Sequence, residues 1–151
     1  MKIKTLLLAV ATMVALPTFA VKGVEDGSKF GTGEDSIRCL ENLSLYTNYY
    51  KIKDYNAAYD SWKVVFDECP TAAGTNLYSQ GAYILSYKLA GETDQAKRQA
   101  LFEELMKCYD QRVKYFGTNK KYPESYIRGR QAMDYIKYSA VKDYLAVVLP
   151  W

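Results

Sequence analysis

Apolar positions recur along most of this chain at steps of three and four, the spacing of one face of a helix. Between residues 37 and 52, Leu40, Leu43, Leu45, Tyr46, Tyr49 and Ile52 put apolar groups on more than one side of a helix. After Lys53-Asp54, a second stripe of Ala58, Trp62, Val65, Phe66 and Cys69 follows, and Pro70 stops it because proline cannot continue a helix. A third helix is predicted from about Ala73 to Leu89, with Leu77, Gly81, Ile84 and Leu85 on one face. "AGETD" breaks the pattern, and Thr93 or Asp94 caps a long fourth helix reaching about Phe116. Its buried side is expected to comprise Ala100, Leu101, Leu105, Cys108, Tyr109 and Phe116. "GTNKKYP" is a turn, and Pro123 suits the first turn of a fifth helix that ends near Tyr138. The closing "AVKDYLAVVLPW" suits a short sixth helix. Alternation never persists long enough for a strand. The expected fold class is therefore all-α, as stacked antiparallel helical hairpins of five to six helices.

The first twenty residues read differently. Lys2 and Lys4 make a positive head, Thr5 to Leu16 is an apolar run, and "PTFA" ends on the small Ala20. That order is expected of a secretory signal cleaved after Ala20, and the run falls short of the about 20 apolar residues a membrane span needs. Residues 21–35, "VKGVEDGSKFGTGED", are glycine-rich and aperiodic, which predicts a flexible lead-in. The "GTG" within it lacks both the Gly-Lys-Ser/Thr ending and the preceding strand of a phosphate-binding loop. Asp35 or Ser36 is the expected N-cap of a helix beginning near Ile37, so the helical domain is placed at 36–151.

Within that domain the first hairpin has more than a generic stripe. With the frame started at Cys39, Leu45, Tyr49, Ala58, Trp62, Val65 and Pro70 fall without a gap on places of the 34-residue tetratricopeptide (TPR) pattern. Asn42 and Tyr46 stand where that pattern has tryptophan and glycine. Ala58 is small enough for two helices to approach, and Tyr49 and Trp62 fill the wedge between them. "LYSQGAYILSYKL" and "SYIRGRQAMDYIKY" each place an aromatic three residues before a glycine, Tyr78/Gly81 and Tyr126/Gly129. Gly81 and Gly129 are the expected close-contact glycines of two later, stretched units. Over about residues 36–138 the chain resembles a family of exported bacterial TPR-repeat proteins, whose members are usually longer; a short member, a truncated product and a fragment all fit. The resemblance implies a groove lined by the first helix of each unit. It carries onto Thr47, Tyr50 and Lys51 in the first unit, Tyr78 and Ser86 in the second, and Tyr126, Arg130 and Asp134 in the third.

Cysteine, histidine and charge narrow the chemistry. In a helical hairpin the start of the first helix lies beside the end of the second, so Cys39 and Cys69 meet either as a disulfide or as two separate buried thiols. Cys108 is then an unpaired core thiol. The chain has no histidine, which removes the commonest general base and metal ligand and every triad built on histidine. No carboxylate pair is placed for glycoside cleavage. Setting aside Lys2 and Lys4 lowers the formal charge from +3 to +1, too little to draw the protein toward nucleic acid. Lys120, Lys121, Arg128, Arg130 and Lys137 make a loosely basic end, but Glu124 and Asp134 lie among them, as on a solvated face. The 15 tyrosines mostly fall at intervals a hairpin core needs, with sugar stacking as the alternative use.

The expected function is a non-catalytic, exported interaction scaffold, periplasmic or extracellular, that binds another protein or peptide. No cofactor, metal, nucleic-acid partner or mature transmembrane segment is expected. The alternative is glycan or cell-wall binding through groove tyrosines. A "YLAVVLPW" tail fits the scaffold by covering the last hairpin, or else as an exposed docking strip.

Overall fold

The structure, a computed structural model, describes residues 28–140. The expected signal segment, most of the "AVKDYLAVVLPW" helix and residues 21–27 of the lead-in lie outside the described residues. Among the described residues there are five helices and no strand: α1 (Glu34–Lys51), α2 (Tyr55–Glu68), α3 (Asn76–Gly91), α4 (Gln95–Phe116) and α5 (Glu124–Tyr138). Each packs on its neighbour in the chain. Short connections reverse the direction each time, giving a hairpin of α1 with α2, a second of α3 with α4, and α5 laid on α4. The all-helical hairpin stack expected from the periodicity is what forms.

Local chemistry explains the boundaries. Asp54 caps α2 by accepting from the Ala57 N–H at 3.0 Å, and Asp94 caps α4 by accepting from Lys97 at 2.9 Å. Lys53 takes a φ of 63° in the α1–α2 reversal. Two starts differ from expectation. α1 begins at Glu34 behind Gly33, whose φ of 60° breaks the chain direction, so Glu34 and Asp35 occupy the first turn, where acidic groups complement the helix dipole. α3 begins at Asn76 and not near Ala73, because Thr71 to Thr75 form a turn through Gly74 at φ 60°. The described part of the lead-in is also not free: the Phe30 side chain packs against the core.

The core runs along the seams between helices. Trp62, Phe66 and Val65 of α2, Leu77, Ile84 and Leu85 of α3, Leu105 of α4 and Ile127 of α5 are fully enclosed. Cys39 and Cys69 are joined as a disulfide across the open end of the first hairpin, with their Cα atoms 6.3 Å apart. Cys108 is a buried free thiol, and burial pushes its pKa far above the ordinary value.

Of the two expected close-contact glycines, one meets its expectation and the other is corrected. Gly81 does meet a neighbour closely, since a Cβ there would overlap the Trp62 indole. Gly129 does not: the space around it is open, because α5 turns a different face to α4. Ile127 and Gln131 are buried there, with Gln131 Nε2 donating to Asp110 Oδ1 at 3.0 Å and to the Met106 carbonyl at 3.4 Å. Leu45, at the repeat's leucine place, is 46% exposed, as no described helix covers that side of α1. Ala100, expected in the buried side of α4, is exposed as well.

Candidate functional site

α3 and α5 lie side by side and bound a cleft of about 530 Å³, floored by α4. Thr75 and Asn76 face Tyr122 and Tyr126 at one end, while Ser86 approaches Tyr138 at the other. There the Tyr138 hydroxyl donates to the Ser86 carbonyl at 3.5 Å. The two helices therefore run in the same direction. Ser86, Tyr126, Arg130 and Asp134, four of the eight residues implied by the repeat pattern, all line this one cleft.

The other four fare differently. Tyr50, half-buried, stands edge-on to Tyr55 and Tyr83, with ring centroids 5.4 and 6.1 Å away. Thr47 is half-buried and turns its hydroxyl back to the Leu43 carbonyl at 2.8 Å, and Lys51 is exposed at the end of α1. Tyr78 is corrected outright. It is 1% exposed, its hydroxyl donates to the Pro70 carbonyl at 2.9 Å, and its ring meets Phe66 and Phe116. The glycine anchor placed it on the groove; the structure makes it core.

Sequence reasoning missed the residues that extend the site. Tyr83 and Tyr87 of α3 are 52% and 50% exposed, and both tilt against Tyr55, at 4.9 and 5.1 Å between centroids. Tyr50, Tyr55, Tyr83 and Tyr87 thus make an aromatic patch, and Tyr83 belongs to the cleft as well, so patch and cleft are continuous. The signal was available: with Leu77, Gly81 and Ile84 assigned to the core, Tyr83 and Tyr87, one turn apart, fall on the face left over. Arg112 was also missed. It rises from the floor, 6% exposed, with Nε donating to Thr75 Oγ1 at 3.2 Å and its guanidinium over the Tyr122 ring at 5.7 Å.

Two groups of the cleft are held by hydrogen bonds to their neighbours. The Tyr109 hydroxyl donates to Asp134 Oδ2 at 2.6 Å; burial first, and then that carboxylate, push the Tyr109 pKa far up. Lys137 is held above its ordinary value, chiefly through its hydrogen bond with Tyr138. Among the described residues no cluster of three His, Cys, Asp or Glu side chains is arranged to hold a metal, and no helix is long and apolar enough to cross a membrane. In a different network, Tyr59 donates to Glu104 at 2.5 Å and Lys63 bridges Glu104 and Asp67. It ties α2 to α4 and shares no residue with the lining of the cleft.

Comparison with protein-family models, with curated proteins and with solved structures finds no match to this chain.

Proposed function

We propose that this chain is a non-catalytic, TPR-like repeat protein that holds another protein or a peptide along the face shared by α1, α3 and α5. One observation carries the reading: the tyrosine patch runs into the α3–α5 cleft through Tyr83, which belongs to both. Exposed aromatic rings on rigid helices are what a peptide-binding face needs, since they give contact area at little cost in conformational entropy. The spacing of Ala58, Trp62, Val65 and Pro70, all buried, together with the close approach of Gly81 to Trp62, supports the TPR-like assignment. Export to the periplasm or the cell exterior is supported by the signal-like first twenty residues and, weakly, by the Cys39–Cys69 disulfide.

The second reading, glycan binding, is favoured by the half-exposed Tyr83 and Tyr87 rings, which can stack on sugar faces. One experiment separates the two. A peptide library is selected against the protein, and the best binder is titrated beside a panel of glycan fragments while Tyr83, Tyr87 and Tyr126 resonances are followed. Peptide-induced shifts at these residues, with glycans silent, support the scaffold. Glycan-induced shifts with no selectable peptide replace it by the second reading.

A further inference from the structure

We infer that the α3–α5 cleft recognises acidic side chains of its peptide partner, which meet Arg112 at the cleft floor; this rests on the peptide reading above. Arg112 is nine-tenths buried and yet has no ion pair among the described residues. Only its Nε is engaged, by Thr75 Oγ1, and the guanidinium face lies over Tyr122. The cleft's own acid, Asp134, is held by the Tyr109 hydroxyl. A cation withdrawn from water is costly unless it is paired, so a buried guanidinium opening into a cleft with no ion pair of its own points to a counter-charge supplied by a ligand. The two terminal nitrogens form the planar fork that matches a carboxylate.

The surroundings agree. Arg130 and Lys137 line the same cleft, so three cations face the single carboxylate of Asp134. The α3 N-terminus, at Thr75 and Asn76, opens beside Arg112 and adds its positive end. Thr75 makes no side-chain cap to that helix; its hydroxyl serves Arg112 instead. A cleft of about 530 Å³ walled by tyrosines is larger than a lone oxyanion requires, and it suits a carboxylate carried on a chain whose neighbouring residues contact the rings. Acidic side chains at several points along a bound segment would pair with Arg112 and then with Arg130 or Lys137.

The test uses a fluorescent extended peptide alternating Glu with Ala, its counterpart with Gln for every Glu, a sulfated oligosaccharide, and inorganic phosphate. The expected result is binding of the Glu peptide, with the Gln peptide about tenfold weaker or more, and affinity that falls with added salt. The double variant Arg130→Glu/Lys137→Glu, at exposed positions, loses the Glu peptide by a similar factor while its melting temperature is retained. Arg112→Gln does the same; should it fail to fold, the double variant and the Gln peptide still decide. Equal binding of the two peptides overturns the acidic-ligand inference and leaves the peptide reading standing. Binding of the oligosaccharide alone overturns both. Binding of phosphate as tight as the Glu peptide overturns the role given to the chain.

Discussion

Gly81 lies directly against the indole of Trp62, and the Trp62 Nε1–H donates to the carbonyl of Leu77, one turn earlier on the same helix. Ring, glycine and carbonyl together fix how closely α3 approaches α2, and hence where Tyr83 and Ser86 present themselves. Gly81→Ala raises intrinsic helix propensity by about 1 kcal/mol. It also forces a methyl group into the ring, and overpacking of this kind costs about 1–3 kcal/mol or more. Net destabilisation in urea unfolding is expected. A stabilised variant would mean that the indole is free to move.

The Cys39–Cys69 bridge closes a long loop over the first hairpin. Replacing both cysteines by alanine is expected to lower stability by about 3–4 kcal/mol in the chain-entropy account. Reduction of the unaltered protein should have the same effect, and reduction of the double variant none.

Tyr78 and Tyr83 stand five positions apart on α3 and serve opposite purposes. Tyr78→Phe leaves the buried Pro70 carbonyl without its donor, at a cost of about 1–3 kcal/mol. Tyr83→Ala removes a half-exposed ring that touches Tyr50 and Tyr55, and is expected to cost about 0.5–1 kcal/mol, less than Tyr78→Phe. On binding the order reverses, with Tyr83→Ala weakening a selected peptide and Tyr78→Phe sparing it in the folded fraction. Isothermal titration beside thermal melts measures both.

Burial raises the pKa of Tyr46, Tyr59, Tyr78 and Tyr109 above the ordinary 10.0, and hydrogen bonds to Glu104 and Asp134 add to the effect at Tyr59 and Tyr109. A value raised in the folded state gives stability that is complete below the unfolded value and is lost as pH rises through the folded one. The protein should therefore hold its stability up to about pH 10 and lose it steeply above. The absorbance of the tyrosinates formed from Tyr46, Tyr59, Tyr78 and Tyr109 is expected to rise together with the loss of helix.

Much of the architecture was legible because helical spacing and helix-stop signals are local. Asp54, Asp94, Pro70 and Pro123 mark ends that depend only on nearby backbone groups. Hairpin geometry alone brought Cys39 beside Cys69 but left a disulfide and two separate thiols both open; the structure shows the bond. What failed was the rotation of a helix about its own axis. Gly129 resembles Gly81 in local sequence, but α5 buries Ile127 and Gln131 against α4, and only the tertiary packing decides that. Tyr78 failed for the same reason, since one glycine anchor does not say which side of α3 its neighbour occupies. Arg112 was illegible because its interest lies in a partner that is absent across space, which no spacing along the chain records.

The most direct test of the cleft and its tyrosine patch as the binding surface is site-specific photocrosslinking in cells that make the protein. A photoreactive residue is placed at Tyr83 or Tyr126 in the groove, or at Gln99 or Glu103, which are exposed and paired with each other on α4. The account predicts one discrete crosslinked protein species from each groove position and none from Gln99 or Glu103. Discrete capture from the α4 positions, with the groove positions silent, would contradict it.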